Sequence, residues 1–251
     1  MITFNSLFFF RQLTCGLIAG LMTLIISLPL QASGIGLGLV RLVYNQQDGQ
    51  ATVPVRNTSS SAYLISSRVS LSPDGYEPTP FIVSPPLFRL EANSQGMVRV
   101  VNNASSLPTD RESVFYMTVA GIPASTPLSR TDSTGFVEGG IKFAYGNTIK
   151  LFYRPGNLSS TATEAAKSIH FIRDGNNIKI ENPSPYYVTF RDMHINGQSV
   201  KFGKKQPDMI PPFSSMKVPA TRTFPISQAG KVRWSAVVDM GAVVTSSGIL
   251  Q

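Results

Sequence analysis

The 251 residues suffice for one large or two ordinary domains with a sizeable core, and only 14% of them are charged, with 20 glycines and 18 prolines. Plentiful Val, Thr, Ser and Tyr, and no long amphipathic helical pattern, point to a turn-rich all-β protein. The net charge of +8 suits an acidic partner or a membrane surface, but the basic residues are scattered without a nucleic-acid-binding motif, and no glycine loop of the phosphate-cradling kind is present, which argues against nucleic acid and against a nucleotide-driven cycle.

Residues 1–33 read as a cleaved signal peptide. Arg11 is their only charge, and the apolar run at residues 15–30 is shorter than the roughly 20 residues of a membrane span. Pro29 and Leu30-Gln31-Ala32-Ser33 then look like a helix break and a cleavage region, with cleavage expected after Ala32 or Ser33. An uncleaved membrane anchor is the competing reading. Cys15, the only cysteine, is badly placed for lipid attachment and leaves with this segment, so the mature chain has no disulfide and no thiol chemistry. Losing Arg11 lowers the formal charge from +8 to +7.

Strand follows strand in the remainder. Residues 34–44 form an apolar, glycine-rich run with one charge, Arg41, which needs a partner if it is buried. Residues 51–56 and 62–67 read as strands around the polar turn Asn57-Thr58-Ser59-Ser60. Phe81-Ile82-Val83 leads into Ser84-Pro85-Pro86, where the chain must turn or switch sheets. Residues 97–101 and 113–119 are strands, and 124–139 a polar loop. Residues 140–155 then alternate with period two: Ile141, Phe143 and Tyr145, a short break at Gly146-Asn147, and Ile149, Leu151 and Tyr153. A strand of about 14 residues far exceeds the usual 5–6. Either such an apolar strand is buried in a sheet core, or its edge is meant for another chain.

A boundary falls at residues 155–158, and residues 159–167 are a linker or one short helix. Strands are expected at 170–172, 177–181, 186–190, 215–218 and 232–238, and no repeat of fixed period is visible. The picture is all-β: two sandwiches of about 120 and 95 residues, assigned to 34–155 and 156–251.

Several separate motifs now occur in one order: Leu107-Pro108-Thr109-Asp110-Arg111-Glu112-Ser113-Val114-Phe115-Tyr116 with Ile122-Pro123-Ala124, then Ile149-Lys150-Leu151-Phe152-Tyr153-Arg154-Pro155, then Asn182-Pro183-Ser184-Pro185-Tyr186-Tyr187-Val188-Thr189, then Asp239-Met240-Gly241-Ala242. Through them the chain resembles the periplasmic pilus chaperones of the chaperone–usher pathway over residues 34–251. It departs from that family at Thr118, where Asn is usual, and at Met240, where Tyr is usual.

The resemblance implies two immunoglobulin-like domains in an L-shaped arrangement. It also implies a periplasmic chaperone that folds and caps pilus or fimbrial subunits, delivers them to an outer-membrane usher, and caps itself as an oligomer when free. Strand addition from chaperone to pilin is a known mode of recognition. Here it would use residues 140–154, with Ile141, Phe143 and Tyr145 filling the subunit's groove. Arg41 and Lys150 match the family's anchor for the subunit's C-terminal carboxylate, and Glu112, Arg154 and Asp239 match its structural interdomain ion network. Residues 125–139 look longer than the loop of the short-loop branch, while the disulfide common in the long-loop branch has no cysteine here, so the branch stays open. Either Phe136 or Val137 adds subunit contacts from that loop, or the loop is simply flexible.

Other chemistry is weak. Glu112 and Asp239 read as an acid/base pair only if a substrate pocket adjoins them, and His170 and His194 lack ligand-spaced neighbours. No metal, cofactor or enzymatic activity is therefore expected. Asn57-Thr58-Ser59 and Asn103-Ala104-Ser105 fit the glycosylation pattern without further support. The alternative of another class is a secreted two-domain adhesin or carbohydrate-binding module, which should expose aromatics on loops; Trp234, the only tryptophan, falls in an expected strand.

Overall fold

The computed structural model describes residues 34–103, 107–123, 144–203, 207–219 and 230–251. The expected signal peptide, the loop at 125–139, and Ile141 and Phe143 of the expected donor row lie outside these residues.

The first sandwich holds β1 (Ile35–Leu37), β2 (Arg41–Asn45), β3 (Ala51–Asn57), β4 (Tyr63–Ser70), β5 (Phe81–Ser84), β6 (Leu87–Leu90), β7 (Gln95–Asn102), β8 (Ser113–Pro123) and β9 (Tyr145–Arg154). One sheet has the order β1-β3-β7-β5 and the other β2-β9-β8-β4-β6. After α1 (Ala162–Lys167), the second sandwich holds β10 (His170–Asp174), β11 (Asn177–Asn182), β12 (Val188–Ile195), β13 (Gln198–Ser199), β14 (Met209–Ile210), β15 (Ser214–Pro219), β16 (Gly230–Val237) and β17 (Val243–Leu250). Its sheets run β10-β11-β15 and β13-β12-β16-β17, with β14 also paired to β12. This is an all-β fold of two immunoglobulin-like sandwiches, and among the described residues no helix is long and apolar enough to cross a membrane.

Period-two alternation builds both cores, because each sandwich buries one face of each sheet. Val53 and Val55 of β3, Val98 and Val100 of β7, and Leu151 of β9 meet in the first core. Ile178 and Ile180 of β11, Met193 and Ile195 of β12, and Trp234 of β16 meet in the second. Helix α1 begins in a capping box made by Thr161 and Glu164 and closes over that core, where the Trp234 indole donates to the Ala166 carbonyl at 2.8 Å. Trp234 is therefore a packed core residue and not a platform for a sugar.

Three sequence expectations are corrected. The apolar run at residues 34–44 is not one strand: β1 belongs to one sheet and β2 to the other. Gly38 marks the crossing, since a Cβ there would sit 3.1 Å from the Pro54 side chain. The break expected at Gly146-Asn147 is absent. β8 pairs with β9 without interruption from Gly121↔Tyr145 to Ser113↔Tyr153, and a paired neighbour overrides the weak strand propensity of Gly-Asn. Strand β17 lies beyond the strands expected from sequence, because Ser246, Ser247 and Gly248 dilute its pattern. The chain does change sheets after Ser84, with β5 in one and β6 in the other.

The two sandwiches share a buried device. Asn57, 2% exposed, donates to the carbonyls of Ser61 and Glu91, both at 2.8 Å, and accepts from the Ser59 amide and hydroxyl at 3.0 and 2.8 Å. Asn182, 1% exposed, donates to the carbonyls of Tyr186 and Pro211 at 2.7 and 2.9 Å and accepts from the Ser184 amide and hydroxyl at 3.1 and 2.6 Å. Each Asn-x-Ser ends a core strand and ties it to the stretch entering the next strand of its sheet, satisfying backbone groups that burial would otherwise leave unpaired. The Asn57 amide is thus a structural part and not an exposed acceptor for a glycan.

Candidate functional site

Strand β9 has two edges. One pairs with β8 from Tyr145 to Tyr153. The other pairs with β2, in parallel, only from Arg41↔Lys150 to Asn45↔Arg154. Among the described residues no strand is in register with this second edge from Tyr145 to Ile149, although the Asn147 side chain donates to the Ile35 carbonyl at 3.0 Å. An unpaired row of strand N–H and C=O groups is a template for a further strand. Tyr145, the described member of the expected donor row, is 55% exposed on this stretch.

Alternation divides β9 into two functional rows. Ile149, Leu151 and Tyr153 turn into the first core. Lys150, Phe152 and Arg154 face the second sandwich: Phe152 lies 5.8 Å from the Tyr187 ring, and Lys150 and Arg154 meet charges there. Thr118, at the family's usual Asn position, shares a 3.0 Å hydrogen bond with its cross-strand partner Thr148.

Arg41 and Lys150 are direct partners in the β2–β9 register, so their backbones are about 4.8 Å apart and both side chains leave the same face of the sheet. Neither is without a contact. The Arg41 guanidinium donates to the Val237 carbonyl at 2.8 Å and lies 5.4 Å over the Phe152 ring, and the Lys150 ammonium is 3.6 Å from Asp208. Asp208 is distant in sequence and reaches Lys150 across the cleft. Burial lowers both cations below their ordinary values, Arg41 against Asp239, Glu112 and Asp208, and Lys150 against Asp208. Neighbouring cations act in the same direction, Arg41 on Lys150 and Arg154 on Arg41. Two half-desolvated positive groups side by side form a place where an anion is favoured.

Next to them, Arg154 joins the other expected residues. Its Nε donates to Glu112 at 2.9 Å, and Nη1 and Nη2 each donate to a different Asp239 oxygen at 2.7 Å, a bidentate pair. The second Glu112 oxygen accepts from the Tyr187 amide at 2.9 Å, and the Glu112 amide donates to the Pro185 carbonyl at 2.9 Å. Glu112 precedes β8, Arg154 ends β9, and Asp239 lies in the turn after β16, so the cluster spans both sandwiches. Its two acids shift in opposite directions. Burial raises Glu112 above the usual carboxylate range despite Arg154, because its side chain is only 3% exposed. The hydrogen bonds from Arg154 lower Asp239, which stays 43% exposed. Burial works to lower Arg154, but the two carboxylates outweigh it and hold the guanidinium above its ordinary value.

The Glu112/Asp239 acid/base reading fails on this geometry. Both carboxylates are committed to one guanidinium, and the cavity beside them measures about 10 Å³, room for roughly one water. Among the described residues no three His, Cys, Asp or Glu side chains gather into a metal site. His170 is exposed, and His194 has Asp192 at 3.9 Å.

The comparisons with known proteins decide the family. Residues 34–159 match the family described as "Pili and flagellar-assembly chaperone, PapD N-terminal domain", and residues 164–248 match "Pili assembly chaperone PapD, C-terminal domain". The chain belongs to the pilus-assembly chaperone family. Chaperone protein FimC of Escherichia coli O6:H1 is 30% identical to it over 96% of this chain and 95% of its own length. The crystal structure of the E. coli chaperone DraB superposes with a TM-score of 0.73 at 31% identity, covering 88% of this chain and 98% of DraB. The structure of the Salmonella enterica SafA pilin in complex with the SafB chaperone matches with a TM-score of 0.70 at 26% identity, covering 88% of this chain and 98% of that one. Sequence reasoning missed three members of the cleft in this pilus-assembly chaperone: Asp208, the Val237 carbonyl and the Tyr187 amide. They are set by tertiary placement, and no local pattern marks them.

Proposed function

We propose that the chain is a periplasmic chaperone that captures pilus subunits by adding β9 to an incomplete subunit sandwich, and that it hands them to an outer-membrane usher. The observation that carries this reading is the open edge of β9 at residues 145–149, ending against the adjacent cations Arg41 and Lys150. An extended partner strand gains backbone hydrogen bonds along that edge, and its terminal carboxylate meets both cations, which sets its register. Ile141 and Phe143 would extend the apolar row begun by Tyr145, and residues 34–155 would form the subunit-binding domain. Glu112, Arg154 and Asp239 hold the sandwiches together in this reading and take no part in bond making. The role is binding and not catalysis. A second strand donated from another copy of the chain would cap the edge when no subunit is present.

The test is co-expression with a pilus subunit encoded beside the chain, followed by co-purification from a periplasmic extract. The wild type should be recovered there without residues 1–33 and with the subunit bound. Tyr145→Asp should bind at least tenfold less subunit while keeping the wild-type circular dichroism, because a carboxylate placed in an apolar groove loses its hydration without a partner. Undiminished capture by this variant would refute the donor edge, and recovery of the chain only from membranes would refute the export reading.

A further inference from the structure

The same cleft holds two ion pairs of very different quality. Arg154 and Asp239 form the bidentate pair at 2.7 Å described above. Lys150 and Asp208 stand 3.6 Å apart, well beyond the roughly 2.7–2.9 Å of a charge-assisted hydrogen bond. The Lys150 side chain is only 25% exposed, so its ammonium needs an anion nearby, whereas Asp208 is 51% exposed and can return to water at little cost. Asp208 is aimed by its backbone: its carbonyl accepts from the Phe190 amide at 2.7 Å, and the next residues, Met209 and Ile210, are in register with Thr189 and Val188 of β12. The second sandwich therefore presents one carboxylate, on a fixed backbone, to the cation of the first sandwich that ends the open edge.

We propose that Asp208 is an internal competitor for the anchor: its carboxylate occupies Lys150 in the unloaded chain and is displaced when a subunit's terminal carboxylate arrives. The inference rests on the anchoring role proposed for Lys150. An arriving carboxylate must either share one ammonium with a like charge or push Asp208 aside into solvent. In both cases binding is weaker than Arg41 and Lys150 alone would allow, and departure of the bound strand is eased because a replacement anion stands ready. The loose geometry fits this task. It keeps Lys150 charged and oriented without holding it as firmly as Arg154 holds Asp239.

The experiment uses the full chain and a pair of synthetic peptides of alternating valine and threonine, about ten residues long as in a long strand, one with a free C-terminal carboxylate and one amidated. Asp208→Asn should bind the free-carboxylate peptide up to about fivefold more tightly than the wild type, the range of a half-exposed pair, and the amidated peptide equally well. Equal gains for both peptides, or no gain, would overturn the proposal. If Lys150→Ala leaves both affinities unchanged, the anchoring reading itself fails, whatever Asp208→Asn does. Acylation of Lys150 followed by mass spectrometry needs no ligand. Removing the carboxylate disfavours the ammonium, so Lys150 should be labelled several-fold faster in Asp208→Asn, and an unchanged rate would show that Asp208 does not hold this lysine.

Discussion

Arg154→Leu is expected to lower folding stability by about 3–5 kcal/mol at neutral pH, because it orphans a buried carboxylate. Glu112 would retain the Tyr187 amide and lose the Arg154 guanidinium at 2.9 Å, with its side chain 3% exposed. The sign of the pH dependence follows from the two acids. Glu112 already lies above its unfolded value, so its contribution favours the folded state in acid and is lost as pH rises through the raised value; without Arg154 that value climbs further. Asp239 lies below its unfolded value, so its contribution is present above that value and lost as pH falls through the depressed one; without Arg154 it vanishes. Both effects make the gap between wild type and variant small in acid and large toward neutrality. Denaturant unfolding across that span measures it. A deficit independent of pH, or none at neutrality, would contradict the network's role. Asp239→Asn should cost less than Arg154→Leu, since Asp239 is 43% exposed and Glu112 keeps its partner.

Lys150→Ala is expected to weaken capture of a carboxylate-terminated strand by more than tenfold, the consequence of truncating one member of a desolvated charge contact worth about 2–5 kcal/mol. Most of the loss should appear as faster dissociation. Amidating the strand's C-terminus should weaken wild-type binding similarly and add little to Lys150→Ala, because both remove one contact. Full additivity would mean that Lys150 does not read the carboxylate. Arg41→Ala should show the same pattern with an added loss of stability, since Arg41 also donates to the Val237 carbonyl and covers the Phe152 ring. Lys150, whose ion pair with Asp208 is loose at 3.6 Å, is the cleaner probe.

What the sequence made legible follows from period. Alternation alone separates Ile149, Leu151 and Tyr153 from Lys150, Phe152 and Arg154, and the structure sends the first row to the core and the second across the cleft. Strong apolar patterns such as Val53 and Val55, or Ile178 and Ile180, also marked their strands. Pairing was not legible. That Arg41 lies opposite Lys150 depends on a parallel register between strands far apart in the chain, and only the assembled sheet supplies it. The meeting of Glu112, Arg154 and Asp239 came from the family resemblance, not from local pattern. Asp208 sits in a polar stretch that carries no periodic signal, and its place beside Lys150 appears only when β14 pairs with β12. The division of residues 34–44 between two sheets and the matching Asn57 and Asn182 networks were hidden for the same reason: each depends on which backbone groups become neighbours after the strands pack.

The central claim is that β9 lends its open edge to a subunit. Amide hydrogen exchange over residues 144–154, in the full chain alone and in complex with a captured subunit, tests it most directly. In the free chain the part of β9 paired on both sides, residues 150–153, should exchange slowly, and amides of residues 145–149 that face the open edge should exchange faster. Subunit binding should slow those amides to the level of their neighbours. Exchange at residues 145–149 that is unchanged by a bound subunit, with protection gained instead on the second sandwich, would contradict it.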